Sequence, residues 1–217
     1  TNASLFMAIS SILILSLLFF GTKKKSLIPS KIQLITEMSY TFVAKMINDT
    51  AGSSARAFFP FVFTLFMFVL FCNMVGMLPY SFTVTSHIIV TFVLAAVVFV
   101  GVTVIGFVKH GIKYLELFVP KGVPVILLPL IIIIEIISYL SRPVSLSVRL
   151  FANMMAGHTM MKVFGGFVIS LGLLGGWLPL SFSVALTGLE ILVAFLQAYV
   201  FAILTCIYLN DALNLHH

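Results

Sequence analysis

Five long apolar segments, separated by short polar or basic stretches, dominate the sequence. Residues 4–20, 58–78 and 87–108 each have the length that a helix needs to cross a hydrocarbon core about 30 Å thick. Residues 123–164 and 178–213 exceed the length of a perpendicular crossing, which indicates that each forms a tilted or kinked helix. The pattern predicts an all-α integral membrane protein whose last two helices form a long, tilted, membrane-embedded hairpin.

Residues 29–55 show a different pattern, because charged residues alternate with apolar ones at helical spacing. The apolar positions are Ile32, Leu34, Ile35, Met38, Phe42, Val43, Met46 and Ile47. An amphipathic helix of this kind favours the membrane surface. A solvated linker is the alternative interpretation.

Proline and glycine mark breaks in the two long segments. Pro143 predicts an interruption of the first segment, and glycines within residues 165–176 predict the turn between the two. No internal repeat of the kind found in inverted-repeat transporters is visible in the sequence.

The composition excludes a soluble globular domain. Of the 217 residues 61% are hydrophobic and only 8% are charged, whereas about 25% of residues in soluble domains carry a charge. The lysines behind the net charge of +6 cluster beside the apolar segments, at residues 23–25 and at Lys109, Lys113 and Lys121. Such clusters mark the positive side of a membrane and do not indicate a nucleic-acid partner.

A polar stripe runs along the first long segment. It consists of Glu135, Ser138, Arg142, Ser145, Arg149 and Asn153. Spacings of three and four residues place all six within a sector of roughly 80° on one helix face. Such a stripe on an apolar helix indicates an aqueous path or a charged partner.

Arg149 is the most costly residue of this stripe, because apolar sequence extends on both sides of it. An arginine at the centre of a membrane helix costs roughly 2.5 to 3.5 kcal/mol, so an ionisable residue at such a position indicates function. For Arg142, which lies beside Pro143, the alternative interpretation is that its side chain extends toward the lipid headgroups.

Further titratable and amide side chains occur along both long segments, at His158, Glu190, Gln197 and Asp211. If the two helices cross the membrane in opposite directions, Glu135 and Asp211 lie toward the positive side, and His158 and Glu190 lie toward the opposite side. Arg149 then lies between the two sets, on a different helix face from His158 unless the helix bends at Gly157. For Asp211, an interfacial position is the alternative.

The two sets can take up and release protons, whereas arginine stays protonated because its pKa exceeds about 12. A fixed cation between two proton-conducting half-paths blocks a continuous proton path. A moving partner with a membrane carboxylate would carry the proton past this block, ionised beside Arg149 and neutral against lipid.

Three stretches of the chain resemble subunit a of rotary F-type ATP synthases, in its mitochondrial or alpha-proteobacterial form. The most specific is SRPVSLSVRLFANMMAGH at residues 141–158. The other two are residues 59–81, with the pairs FP and PY, and residues 186–211, from LTGLE to YLND. The resemblance covers about residues 58–215.

The resemblance implies the proton-translocating stator subunit of the membrane Fo sector. In this family Arg149 would be the essential arginine that faces carboxylates of a rotating c-ring and separates two offset half-channels. His158 and Glu190 would line the inlet half-channel, and Glu135 and Asp211 would line the outlet.

Other candidate site residues follow from the same resemblance and from the stripe. Asn153 and Gln197 would lie close to Arg149, and the further candidates for channel lining are Ser138, Ser145, Asn73, His87 and Arg142. His87 lies at the start of a predicted helix, so the alternative interpretation is that it lies at the membrane interface and does not line a channel.

The resemblance also implies partners and a location. The partners would be the c-ring, the peripheral stalk, other Fo membrane subunits and the lipid bilayer, in the mitochondrial inner membrane or the alpha-proteobacterial plasma membrane. No phosphate-binding loop is visible, so the chain is expected to be non-catalytic, with ATP made in the partner F1 sector and no cofactor or metal bound. A secondary transporter for an anionic substrate and a structural scaffold are the alternatives.

Overall fold

The computed structural model describes residues 2–23, 29–78, 81, 83–118 and 127–213. Several signals used in the sequence lie outside these residues, as do the first residues of the predicted segment 123–164. These signals are Lys24, Lys25, Pro79, Tyr80 and Lys121.

Long helices make up most of the described part. They are α1 (Asn2–Lys23), α2 (Lys31–Ala51), α3 (Phe59–Gly76), α4 (Ile88–His110), α5 (Leu128–Gly175) and α6 (Trp177–Leu213), with short 3-10 helices at Ser53–Phe58, Val84–Ser86 and Gly111–Phe118. All but α2 are long and apolar enough to cross a membrane. No strand occurs among the described residues, so the predicted all-α membrane fold is confirmed.

Helix α2 begins at a serine cap, where the Ser30 side chain accepts a hydrogen bond from the Gln33 amide. Its buried apolar residues are Val43, Met46, Ile47 and Ala51, all in the second half of the helix. In the first half the buried face is polar and includes Gln33 and Thr36. The remaining large apolar residues of α2 are exposed, which suits contact with lipid.

Helix α5 continues through Pro143, so the interruption predicted there is wrong. Packing against α4 and α6 offsets the hydrogen bond that a proline cannot donate. The helix breaks instead at Gly172, where φ is 60° and ψ is −158°. From Leu128 to this break α5 is about 65 Å long at 1.5 Å per residue, so it must be strongly inclined in a hydrocarbon core about 30 Å thick.

Helix α6 packs closely against its neighbours through small residues. Ala194, Ala198 and Ala202 recur every fourth residue and are fully buried, which allows close approach of helix backbones. At the end of α6, Lys109 Nζ lies 3.0 Å and His110 Nε2 lies 3.1 Å from the carbonyl oxygen of Leu213. The C-terminal end of α6 therefore lies beside the basic end of α4.

Candidate functional site

His158 of α5 and Glu190 of α6 face each other across the hairpin. The Nδ1 atom of His158 lies 3.9 Å from Oε1 of Glu190. The Glu190 side chain is 6% exposed and that of His158 is 26% exposed. The pair therefore joins an accessible imidazole to a buried carboxylate, and both groups can carry a proton.

A pocket of about 570 Å³ lies at the molecular surface beside His158. Its polar lining consists of Ser81, Thr83, Ser86, His158, Thr159 and Lys162. Hydroxyl groups and a lysine make this lining favourable for water. The pocket thus provides a polar route from the surface to the imidazole.

Polar groups extend from this pair along α3, α5 and α6, buried at Asn73 and Gln197 and exposed at Asn153. Asn73 Nδ2 donates to the Ala194 carbonyl oxygen over 3.3 Å, and Asn153 Nδ2 donates to Gln197 Oε1 over 2.8 Å. Other buried atoms of this region have no hydrogen-bond partner within the described part of the chain: Asn73 Oδ1, Thr85 Oγ1, Glu190 Oε1 and Gln197 Nε2. Buried polar groups normally find a partner, often an ordered water. The series therefore favours a hydrated path.

A glycine lets α5 and α6 approach at this point. A Cβ atom added to Gly157 would lie 2.5 Å from Glu190 Oε1, a separation that forces the carboxylate to move. The backbone is helical at Gly157, and the non-helical residue inside α5 is Gly172. His158 thus faces α6 while Arg149 lies on another face, as a straight helix requires.

Arg142 and Asp211 form the second group of charges, on the other side of Arg149 along α5. Arg142 Nη1 lies 3.2 Å from Asp211 Oδ2, and the two side chains are 21% and 38% exposed. The guanidinium also lies 5.3 Å from the ring centre of Tyr139 and 5.0 Å from that of Tyr208, within the range of cation–π attraction. Arg142 therefore has partners within the chain and does not depend on headgroups.

The tyrosines at this group were missed in the sequence. Tyr139 and Tyr208 each precede their charged neighbour by three residues, a spacing that places them on the same helix face and could have revealed them. The Tyr139 hydroxyl lies 3.0 Å from that of Tyr114 and 2.6 Å from Thr103 Oγ1. A hydroxyl network therefore extends from Arg142 toward α4.

The remaining candidates lie apart from these two groups. Glu135 is half-buried and makes no hydrogen bond or ion pair with another described residue, so Asp211 is paired with Arg142 and not with Glu135. Ser138 and Ser145 are exposed on α5. His87 is the exposed residue that precedes α4.

Arg149 lies near the middle of α5, on its outer face. Leu146, Leu150 and Met154 of the same helix are buried, whereas Arg149 is exposed. It makes no hydrogen bond or ion pair within the described residues, where the ion pairs join Arg142 to Asp211 and His158 to Glu190. No carboxylate among the described residues pairs with this charge.

Membrane-length helices, a buried polar series and an arginine presented outward at mid-helix together define a polytopic membrane protein of the ion-conducting class. Comparison with known proteins agrees. The sequence profile of the family described as "ATP synthase A chain" matches residues 4–210.

Several relatives are similar over nearly their whole length. "ATP synthase subunit a" of Pelagibacter ubique is 80% identical over 217 residues, which cover 100% of this chain and 89% of the relative. The proteins of that name from Chelativorans sp. and Rhizobium rhizogenes are 60% and 61% identical, covering 100% and 99% of this chain and 90% and 88% of the relatives. The chain belongs to the ATP synthase subunit a family, the proton-channel subunits of the Fo sector, and the resemblance found in the sequence is confirmed.

Proposed function

We propose that the chain is the non-catalytic stator subunit that passes protons through two offset half-channels to and from the carboxylates of a rotating c-ring. The ring and the other Fo and peripheral-stalk subunits are its partners, and ATP is made in the F1 sector. The relatives are alpha-proteobacterial, which supports a place in the inner membrane. No cofactor takes part.

The observation that carries this proposal is the position of Arg149 between two groups of proton-carrying residues. At 1.5 Å per residue Arg142 lies about 10 Å before Arg149 along α5, and His158 lies about 13 Å after it. Both flanking groups are paired with residues of α6, at Asp211 and Glu190. Arg149 alone among the three basic groups presents its charge outward.

The inlet half-channel begins at the pocket beside His158 and continues through Glu190. The buried amides of Asn73 and Gln197 extend it inward, and the hydrogen bond from Asn153 to Gln197 brings it to the helical turn that follows Arg149. The outlet is formed by Asp211, with Glu135 nearer the start of α5. Because arginine does not release its proton, neither path continues directly into the other.

The ring carboxylate carries protons between the two half-channels. It is ionised while it lies beside Arg149, and it must be neutral when it faces lipid because a bare charge there is costly. It therefore gains a proton from one half-channel, travels with the ring, and loses the proton to the other. Each charge that crosses 100 mV contributes about 2.3 kcal/mol to rotation.

Disulfide cross-linking tests whether the outer face of α5 meets the ring. Ser145 is exposed one turn before Arg149, and we expect Ser145→Cys to form an oxidant-induced disulfide with a cysteine placed beside the ring carboxylate. A disulfide needs Cα atoms roughly 4.4 to 6.8 Å apart, so the product reports direct apposition. The readout is a higher-mass band that contains both subunits.

The matched control is Thr64→Cys, an exposed position on α3, which we expect to give no such band. The native Cys72 and Cys206 are buried and contribute little background. Absence of the Ser145 product in assembled complexes, or equal products from both positions, would contradict the proposal.

Substitution of Gly157 tests the contact between α5 and Glu190. We expect Gly157→Ala to lower ATP-driven proton pumping about tenfold, because displacing a reacting group by 1 Å can cost up to about 100-fold. The control is Gly165→Ala, on the same helix, where an added Cβ meets nothing within 4 Å. Equal pumping rates in the two variants would show that the position of Glu190 is unimportant.

A further inference from the structure

Thr83, in the segment between α3 and α4, contacts His158 on the side away from Glu190. Its Oγ1 lies 2.7 Å from His158 Nε2. The same hydroxyl donates a hydrogen bond to the carbonyl oxygen of Gly76, over 2.9 Å. Thr83 is 8% exposed, so this geometry lies inside the protein beside the proposed inlet.

The two contacts determine where the imidazole carries its proton. A threonine hydroxyl has one proton to donate and lone pairs to accept with. Since that proton is given to the Gly76 carbonyl, the contact with His158 requires Nε2–H to donate to Thr83 Oγ1. A neutral imidazole has only one N–H, so Nδ1 is left with a lone pair, directed at the carboxyl of Glu190.

The reverse arrangement would leave a buried carbonyl without this partner. Gly76 ends α3, where the last carbonyls of a helix have no intrahelical donor. The Ser81 hydroxyl likewise lies 2.7 Å from the carbonyl oxygens of both Val75 and Leu78, at the same end of α3. Hydroxyl groups of this segment thus cap the end of α3, and the Thr83 proton belongs to that cap.

Two contacts on different sides of Thr83 hold it in place. The Ser86 hydroxyl donates to the Thr83 carbonyl oxygen over 2.7 Å. A Cβ atom added to Gly76 would lie 2.7 Å from Thr83 Cγ2, so only a glycine at this position admits the threonine. The segment therefore holds the hydroxyl in place for the imidazole.

We propose that Thr83 is a positioning residue that keeps neutral His158 in the Nε2–H tautomer and so directs the Nδ1 lone pair toward Glu190. Nδ1 and Glu190 Oε1 lie 3.9 Å apart, so a proton passes between them through one bridging water or after a closer approach of the two side chains. Nε2 stays bonded to Thr83 on the pocket side. The significance for transport rests on the proposed roles of His158 and Glu190. The assignment of the tautomer does not depend on those roles.

Solid-state ¹⁵N NMR of the reconstituted complex with labelled histidine tests the tautomer directly, at about pH 9, where an ordinary imidazole is neutral. A difference spectrum against His158→Gln assigns the signal. We expect a protonated Nε2 and an unprotonated Nδ1 in the wild type and in Thr83→Ser, which keeps the hydroxyl. We expect a mixture of tautomers in Thr83→Val, because valine has the shape of threonine but lacks the hydroxyl.

Proton pumping by the same complexes gives a second readout. Loss of the fixed tautomer in Thr83→Val should lower ATP-driven pumping by about three- to tenfold, as imperfect orientation of a proton-transfer group does, and Thr83→Ser should restore most of the rate. If Thr83→Val does not assemble, Gly76→Ala displaces the threonine and should give the same mixed NMR signal.

A wild-type signal with the proton on Nδ1 would overturn the proposal, as would an unchanged tautomer in Thr83→Val. These results are separable from the role of the path itself. If Glu190→Gln leaves proton flux unchanged, the inlet assignment fails while the tautomer result stands.

Discussion

Arg149→Ala is expected to abolish ATP synthesis and ATP-driven proton pumping while the complex still assembles. Without the cation, a ring carboxylate has no counter-charge at the point where it must be ionised. Placing a charge at mid-membrane costs roughly 2.5 to 3.5 kcal/mol, which corresponds to a loss of roughly 100-fold or more in rate. The rate of vesicle acidification by ATP, per assembled complex, measures the effect.

Arg56→Ala is the matched control, since it removes an arginine from the same chain away from the proposed path. Arg56 is exposed, and its Nε donates to Asn48 Oδ1 over 2.7 Å. Exposed polar contacts of this kind contribute about 1 kcal/mol or less, so we expect pumping close to that of the wild type. Coupled pumping that persists in Arg149→Ala would contradict the proposed role of the arginine.

Glu190→Gln should have the second largest effect, a loss of at least about tenfold in proton flux. Positioned proton-transfer groups contribute about 100-fold or more to a rate. The expected loss is smaller because water in the path takes over part of the transfer. The substitution keeps the size of the side chain and its contact with Gly157. It removes the carboxylate that lies 3.9 Å from His158 Nδ1. The measurement is the initial rate of acidification at saturating ATP.

A second carboxylate provides the control for this substitution. Glu37 on α2 accepts a hydrogen bond from Gln33 Nε2 over 2.8 Å, and Glu37→Gln removes a comparable charge outside the proposed path. We expect its flux to remain close to that of the wild type. If both variants lose flux equally, the loss reflects assembly or net charge, and Glu190 is not on the path.

The features that the sequence could predict are those set by bilayer thickness and helical period. Apolar runs of bilayer length predicted helices, and the 3.6-residue period predicted that Arg149 and His158 lie on different faces of α5. The antiparallel order of the last two helices placed His158 and Glu190 at one depth, and the two side chains are in contact.

Depth alone could not identify which residues pair. Glu135 and Asp211 were both expected toward the positive side, but the packing of α6 on α5 pairs Asp211 with Arg142. Thr83 lies 75 residues from His158 in the sequence, in a segment whose course no periodicity describes. Its contact with the imidazole could therefore not be predicted from the sequence.

Helix α2 shows a limit of hydrophobic patterning in membranes. Because lipid is as apolar as a helix interior, an apolar side chain does not reveal whether it faces protein or lipid. Gln33 and Thr36 are buried against the bundle while Ile35 and Met38 are exposed, the reverse of a soluble helix. In the second half of α2, where Val43 and Ile47 are buried, the pattern and the packing agree.

Arg149 is proposed to separate the two half-channels, and the passive proton conductance of Fo in vesicles stripped of F1 measures this separation. With an imposed membrane potential, Arg149→Ala should conduct protons without coupled rotation, since a ring carboxylate can then exchange protons with both half-channels. Addition of Glu190→Gln should reduce this leak, because it removes a proton-carrying group from the proposed inlet. If Arg149→Ala vesicles leak no more than vesicles without Fo, or if the leak is unchanged by Glu190→Gln, Arg149 does not separate the half-channels as proposed.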